Sequence, residues 1–438
     1  MDRLLKEWKQ IRSSTLAHNA GWMAGGQVLS VGCQGVYFVL LARLLGSTEY
    51  GIYAGVVAMV AMLSVYSPLG SAFTLMQYVS PDHEKFALYW GNVLVTTLTF
   101  GSLFVVVLVW AVPHLAHSYS SRLVLYASVA DCLCAQVTLG SSYVFLAFEK
   151  LRTTAFLNLI GNLLRAILAA IMLWRFHHAT AQQWAFAALI VSFTVVCTAL
   201  LVVTRQYGRP AFSLHLLRER SSEGLVFSLS SASGGISNNV DKAMLGHYGM
   251  NKADGIYTMA YRVVDVCTMP IWSIHTAAFP RFFRKGIDGV QNTIPYALKL
   301  LKRTAPLGLL MAAAMFLAAP LIPYLAGPSF RESVSALRWL CLLPSFRSFQ
   351  LSAGDAMTGA GYQRYRFLIL ITAAVFNFGS NLYLIPHFGW HGAAWSSLVT
   401  DGMIGLLNWA MLMVLHKRDL NRRNYLTFGL DKMESQSS

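Results

Sequence analysis

The chain has 438 residues, of which 55% are apolar, 13% aromatic and only 12% charged; an ordinary soluble domain carries about 25% charged residues, so a water-soluble fold is excluded. A net charge of +15 would suggest a nucleic-acid partner if the cations were clustered on one soluble face. They instead flank apolar stretches, which makes the charge a membrane-topology signal and excludes nucleic acid.

A bilayer core of about 30 Å takes about 20 apolar residues per helix. Residues 1–19 come first, with Leu4, Trp8, Ile11 and Thr15 on one face and Lys6, Lys9 and Arg12 around it. This pattern predicts a cytoplasmic interfacial helix rather than a cleaved signal peptide, since no small-residue cleavage site follows. Twelve spans are then expected: 20–42, 52–77, 87–112, 123–148, 154–174, 183–204, 224–247, 255–280, 304–325, 333–358, 366–386 and 391–416. The seventh holds Ser228, Ser230, Ser231, Ser233, Gly234, Gly235, Ser237, Asn238 and Asn239. It is too polar to face lipid all round and should face protein or a watery cavity. Between the eighth and ninth spans, Gly286–Arg303 sets Ile287, Val290, Ile294, Leu298 and Leu301 beside Lys299, Lys302 and Arg303, an amphipathic stretch expected along the cytoplasmic interface.

With twelve spans and the N-terminus inside, 24 of the 34 Lys and Arg fall on the cytoplasmic side, six outside and four within spans. The positive-inside rule therefore places both termini in the cytoplasm.

Leu45-Gly46 followed by Gly51-Ile52-Tyr53 recurs as Leu245-Gly246 followed by Gly255-Ile256-Tyr257, and Lys150 with Arg152 recurs as Arg364 with Arg366. These offsets, near half the chain, predict two duplicated six-helix bundles, 20–204 and 224–416. A cytoplasmic linker, 205–223, joins them and a cytoplasmic tail, 417–438, follows. An even number of spans per copy gives both copies one orientation, related by an axis along the membrane normal, with a site between them. Gly51 and Gly255 are read as helix starts after tight turns.

Three segments carry a family resemblance: LLARLLGSTEYGIYAGVVAM (40–59), NNVDKAMLGHYGMNKADGIYTMAYRVVDV (238–266) and NFGSNLYLIPHFGWHGAAWSSLV (377–399). They closely resemble bacterial polysaccharide-biosynthesis flippases, the O-antigen (Wzx-type) members of the multidrug/oligosaccharidyl-lipid/polysaccharide exporter superfamily. The resemblance covers nearly the whole chain. It implies an all-α polytopic membrane protein with two pseudo-symmetric bundles around a central cavity. It also implies that an undecaprenyl-pyrophosphate-linked oligosaccharide is moved across the bacterial plasma membrane, for lipopolysaccharide or exopolysaccharide synthesis. Membrane lipids, a polysaccharide polymerase and other assembly proteins are the partners it implies.

No phosphate-binding glycine loop, H-E-x-x-H run or paired C-x-x-C is present, so neither ATP-driven transport nor a metal or other cofactor is expected. Cys33, Cys132, Cys134, Cys197, Cys267 and Cys341 all lie in apolar stretches and are read as small buried hydrophobes. His177, His178, His387 and His391 are read as solvated loop residues.

A charge in the bilayer interior costs about 2.5–3.5 kcal/mol on insertion scales and needs a cavity or a partner. Arg165, Arg347 and Arg262 are therefore the candidate substrate-binding residues of a cationic cavity, their planar forks suiting phosphate and acidic sugars. Asp131, Asp265 and Asp401 are the candidate ion-coupling carboxylates. Internal pairing is the competing reading, with Asp265 three residues from Arg262 on one helix and Asp241 at similar depth. Arg165 and Arg347 have no local carboxylate. Gln34, Gln136, Asn162, Asn238, Asn239, Asn377 and Asn381 could meet sugar hydroxyls or bond helix to helix.

Alternating-access flipping is the leading function. A drug or cation antiporter of the same superfamily is the alternative, but it would call for acidic rather than basic cavity charges. A membrane polymerase or ligase is remote, since such enzymes need a long outer loop, and no outer connection exceeds about a dozen residues. The protein is accordingly expected not to be an enzyme.

Overall fold

The structure is a computed structural model describing residues 15–287 and 289–436; the expected interfacial segment up to residue 14 lies outside the described residues. Among these the chain is all-helical. In order come α1 (Thr15–Ser64), α2 (Ser71–Val79), α3 (Phe86–Leu115), α4 (Ser121–Ser128), a π-helical segment (Val129–Ala135) and α5 (Gln136–Ala147). Then follow α6 (Leu151–Phe176), α7 (Ala181–Tyr207), α8 (Leu214–His247), α9 (Asn251–Gly286) and α10 (Val290–Ala318). The last are α11 (Ile322–Ala326), α12 (Ser333–Leu340), α13 (Leu343–Gly359), α14 (Gln363–Phe388) and α15 (Trp390–Gln436).

Eight helical stretches among the described residues are long and apolar enough to cross a bilayer. They account for the first, third, fourth, fifth, sixth, ninth, eleventh and twelfth expected spans. The other four are helical but differ for physical reasons. The second begins inside α1, which bends at Gly46 (φ 69°, ψ 172°), and it is interrupted between Ser64 and Ser71. The seventh and eighth correspond to α8 and α9, of 34 and 36 residues, whose serines, glycines and charges lower their hydropathy. The tenth is broken between Leu340 and Leu343.

Two compact units make up the chain: residues 1–255 with 324–330, and residues 256–323 with 331–438. In the first, Leu75, Phe86, Trp90, Val93, Val144, Phe145 and Ala199 form one buried cluster, joining α2, α3, α5 and α7. Val56, Val60, Val112, Leu123 and Val124 form another. In the second, Phe282, Val290, Ala297, Ala353, Met357 and Leu412 bring α9, α10, α13 and α15 together. Large apolar side chains on the outside, among them Val106, Trp110, Ile171, Trp174, Leu317 and Val375, are more than half exposed. That surface would be untenable in water but matches lipid. Lipid tails are as apolar as leucine, so cohesion between helices comes from close packing and interhelical hydrogen bonds.

The repeated glycines illustrate this packing and correct the turn reading. The left-handed turn conformations belong to Gly46 and Gly249, both at φ 69°. Gly51 and Gly255 instead sit within α1 and α9, where each faces the other helix's backbone. A Cβ on Gly51 would lie 1.8 Å from the Asn251 carbonyl oxygen, and one on Gly255 would lie 1.9 Å from that of Ser47. Adding 204 to 47 and 51 gives 251 and 255, so the contact is reciprocal in the way a two-fold contact is.

Gly286–Arg303 is also refined by the structure. Ile287 is 83% exposed and Leu298 41%, while Val290, Thr293, Ile294, Ala297 and Leu300 form the buried stripe that opens α10. Lys299, Lys302 and Arg303 are exposed as expected.

The six cysteines are free. Cys132, Cys134 and Cys341 are buried as read from the sequence; Cys33 and Cys267 are half-buried, and Cys197 is exposed on α7.

Candidate functional site

Each unit gathers some of the intramembrane charges. In the first unit, α6 carries Arg165 into a cavity of about 500 Å³. Ser30 and Gln34 of α1, Thr138, Ser142 and Tyr143 of α5, Asn158 and Asn162 of α6, and Ser192 of α7 supply its polar lining. Arg165 donates from Nη2 to Ser192 Oγ at 3.3 Å, and Asn162 donates to Ser30 Oγ at 2.8 Å. The guanidinium is half-buried, with most of its five donors available to a ligand. Asp131 lies in the π-helical segment, close enough to Arg165 for the two charges to interact. A π-bulge inside a helix is a frequent feature of functional sites. Of the three arginines expected to line a cationic cavity, Arg165 lines this one, beside Gln34 and Asn162.

In the second unit, the structure joins three residues that the sequence left separate. Arg347 of α13 is 8% exposed. Its Nη1 lies 3.5 Å from Asp265 Oδ1 on α9, and its Nε lies 3.7 Å from Asp401 Oδ2 on α15. Nη2 also donates to Tyr261 Oη at 3.2 Å. Arg347 therefore has carboxylate partners after all; they come from other helices rather than from its own neighbourhood. Two carboxylates thus meet one guanidinium. Arg262 is half-buried, one turn before Asp265 on α9.

Asn377 and Asn381 belong to a polar seam between α14 and α15. Asn377 donates to Ser396 Oγ at 3.1 Å and to Thr400 Oγ1 at 3.3 Å, and Asn381 donates to Asn377 Oδ1 at 3.1 Å. Their role is interhelical bonding. Ser228 is buried, but the side chains of Ser230 through Asn238 lie outside the described residues.

Sequence reasoning missed His275. It lies buried on α9 with Nδ1 2.9 Å from Asp355 Oδ2, and a lone histidine in an apolar helix gave no signal.

Residues 16–285 match the family model described as polysaccharide biosynthesis protein. The chain belongs to that family. An uncharacterised membrane protein of Methanocaldococcus jannaschii is 22% identical over 422 residues, covering 88% of this chain and 82% of that protein. The fold is similar to a multidrug resistance MATE family transporter of the MOP superfamily in its inward-facing conformation. That comparison gives a TM-score of 0.69 and 17% identity, over 89% of this chain and 96% of that one. It is also similar to a MOP superfamily transporter from Pyrococcus furiosus, whose binding pocket is described as reversed in polarity, suggesting a different function. There the TM-score is 0.60 and the identity 17%, over 90% and 94% of the two chains. The protein is thus an all-α, multi-pass membrane protein with the transporter fold of that superfamily.

Proposed function

We propose that the protein flips a lipid-linked oligosaccharide, of the undecaprenyl-pyrophosphate class, across the bacterial plasma membrane by alternating access. Both termini lie in the cytoplasm, and residues 20–204 and 224–416 act as the two bundles about the linker 205–223. The cavity of the first unit carries this reading: one arginine stands in a wall of hydroxyl and amide groups. A pyrophosphate needs a compensating cation on leaving water, because an unpaired buried anion is penalised by several kcal/mol or more. Sugar hydroxyls need neutral donors and acceptors, which Ser, Thr, Asn and Gln provide. A volume of about 500 Å³ lies in the range of small-molecule sites. Membership of a polysaccharide-biosynthesis family supports the same class of cargo. A drug-cation antiporter would be served poorly by a cationic cavity. The Pyrococcus furiosus relative, with its pocket described as reversed in polarity, supports the view that this fold accommodates either sign of charge.

The Arg347 group fits ion coupling. Binding of one proton or one monovalent cation at Asp265 or Asp401 changes the charge of the group by one, and with it the electrostatic cost of the group in the membrane.

The test is Arg165→Ala, scored by export of surface polysaccharide in cells lacking the native gene and by the amount of inserted protein. Export should fall at least tenfold with insertion unchanged, and Arg165→Lys should recover part of it, restoring charge without the bidentate fork. Full export with Arg165→Ala refutes the reading.

A further inference from the structure

The second unit holds another buried polar group, apart from Arg347. His275 of α9 lies ten residues beyond Asp265, about 15 Å along the helix. It is 2% exposed. Its Nδ1 is 2.9 Å from Asp355 Oδ2 on α13, and the other carboxylate oxygen accepts from Arg366 Nη1 of α14 at 3.2 Å. The same Arg366 nitrogen donates to Thr358 Oγ1 at 2.9 Å. Gly354 makes room for this arrangement, since a Cβ there would sit 2.9 Å from Arg366 Nε.

Hydrogen bonding fixes the tautomer. A carboxylate oxygen accepts, so His275 Nδ1 carries a hydrogen and donates it. In the neutral ring Nε2 is then a bare lone pair, and among the described residues this buried atom has no hydrogen-bond partner. Asp355 and Arg366 cancel, so the group is neutral while His275 is neutral and carries +1 once Nε2 binds a proton. The protonated ring presents an N–H at the same buried, unpartnered position. It is relieved only where Nε2 meets water or an acceptor.

Among the described residues, no other charged side chain bonds to these three. On α9 the nearest charged residues are Arg281 and Arg284, six and nine positions away, and Asp265 and Lys285, each ten away. The Lys299, Lys302 and Arg303 side chains of α10, which packs on α13, are exposed. On α15, Asp401 belongs to the Arg347 group and Asp419 accepts from the Tyr362 hydroxyl.

We propose that His275 Nε2 is a proton-binding site, and that its occupation is linked to opening of the His275–Asp355–Arg366 end of the second unit to water. Protonation adds one H⁺ from solvent to the Nε2 lone pair and breaks no other bond. The inference stands whichever substrate the protein carries.

The full chain in lipid nanodiscs provides the test. Exchange of the imidazole C2 hydrogen for deuterium, followed peptide by peptide by mass spectrometry, reports the titration of each histidine in the unmutated protein. The exchange rate of the His275 peptide should change with pH; a rate that stays constant between about pH 5 and 9 overturns the site. Backbone exchange in peptides covering 355–366 should quicken on acidification, and His275→Gln should abolish that response. An unchanged response in the variant overturns the linkage. Asp355→Asn should change the pH dependence of that exchange, since it removes the anion bonded to the ring; an unchanged pH dependence overturns the assignment of the partner. Should either variant fail to fold, the titration of the unmutated chain decides alone.

Discussion

Gly51→Ala puts a methyl group 1.8 Å from the Asn251 carbonyl oxygen and 2.6 Å from the Gly255 backbone nitrogen. Ordinary contact begins near 3.4 Å, so α1 and α9 must part by more than 1 Å along a run of backbone atoms that no rotamer change can move. The opposing effect is the gain in helix propensity, about 1 kcal/mol for Gly→Ala. Overpacking of a tight contact costs about 1–3 kcal/mol and more where backbone must move, so the net effect is destabilising, by about 1–2 kcal/mol. Gly255→Ala meets the Ser47 carbonyl at 1.9 Å and should cost the same. The double variant should cost less than the sum, because helices already separated for one methyl accommodate the second. Gly32 and Gly402, on α1 and α15, have nothing within 4 Å of a built Cβ; their alanine variants should be neutral or stabilising. The assay is the thermal unfolding midpoint of detergent-purified protein, which should drop by a few degrees for the first pair and hold or rise for the second. A Gly51→Ala protein as stable as the Gly32→Ala protein would refute the close-approach argument.

Arg347→Ala removes the guanidinium that reaches both Asp265 and Asp401 and should lower the amount of folded protein; adding Asp401→Asn should recover part of it. In the otherwise unmutated chain Asp401→Asn should fold and lose its dependence on a transmembrane ion gradient, and a variant that keeps that dependence removes Asp401 from coupling. Reporter fusions at Ser438 and beside His114 should report inside and outside respectively. An outward C-terminus would overturn the assignment made from the 24 cytoplasmic cations.

Span length and hydropathy are local properties, and so the helices and the membrane class were legible in the sequence. The charge partners were not, because they are tertiary. Asp265 and Arg347 are 82 positions apart, and His275 and Asp355 are 80 apart; no helical spacing rule reaches across such distances. Arg165 was legible as a charge inside an apolar helix, and the neutral groups Gln34 and Asn162 that line its cavity were marked in the sequence too; its neighbour Asp131, 34 positions away, was not marked as its partner. Gly51 and Gly255 were correctly singled out for the wrong reason. A glycine required by φ and a glycine required by a neighbouring backbone look alike in sequence, and only the φ values of Gly46 and Gly249 separate the two cases.

The internal repeat divides scaffold from chemistry. The reciprocal Gly51 and Gly255 contacts obey an offset of 204, as a duplicated framework should. The Arg165 and Arg347 groups obey neither repeat offset, unlike Arg366, which matches Arg152 at 214. At 204, Asp131 and Arg165 correspond to Ser335 and Ile369, while Arg347, Asp265 and Asp401 correspond to Tyr143, Ala61 and Cys197; at 214, Asp131 and Arg165 meet Ser345 and Gly379. A charge within a membrane helix is costly wherever it has no task or partner, so selection on a duplicated framework removes it from the copy that does not use it. The residues that escape the repeat are therefore those whose roles differ between the halves. Arg165 with its polar cavity and Arg347 with its two carboxylates each lack a counterpart in the other half, which is what the proposed division between cargo binding and ion coupling would require.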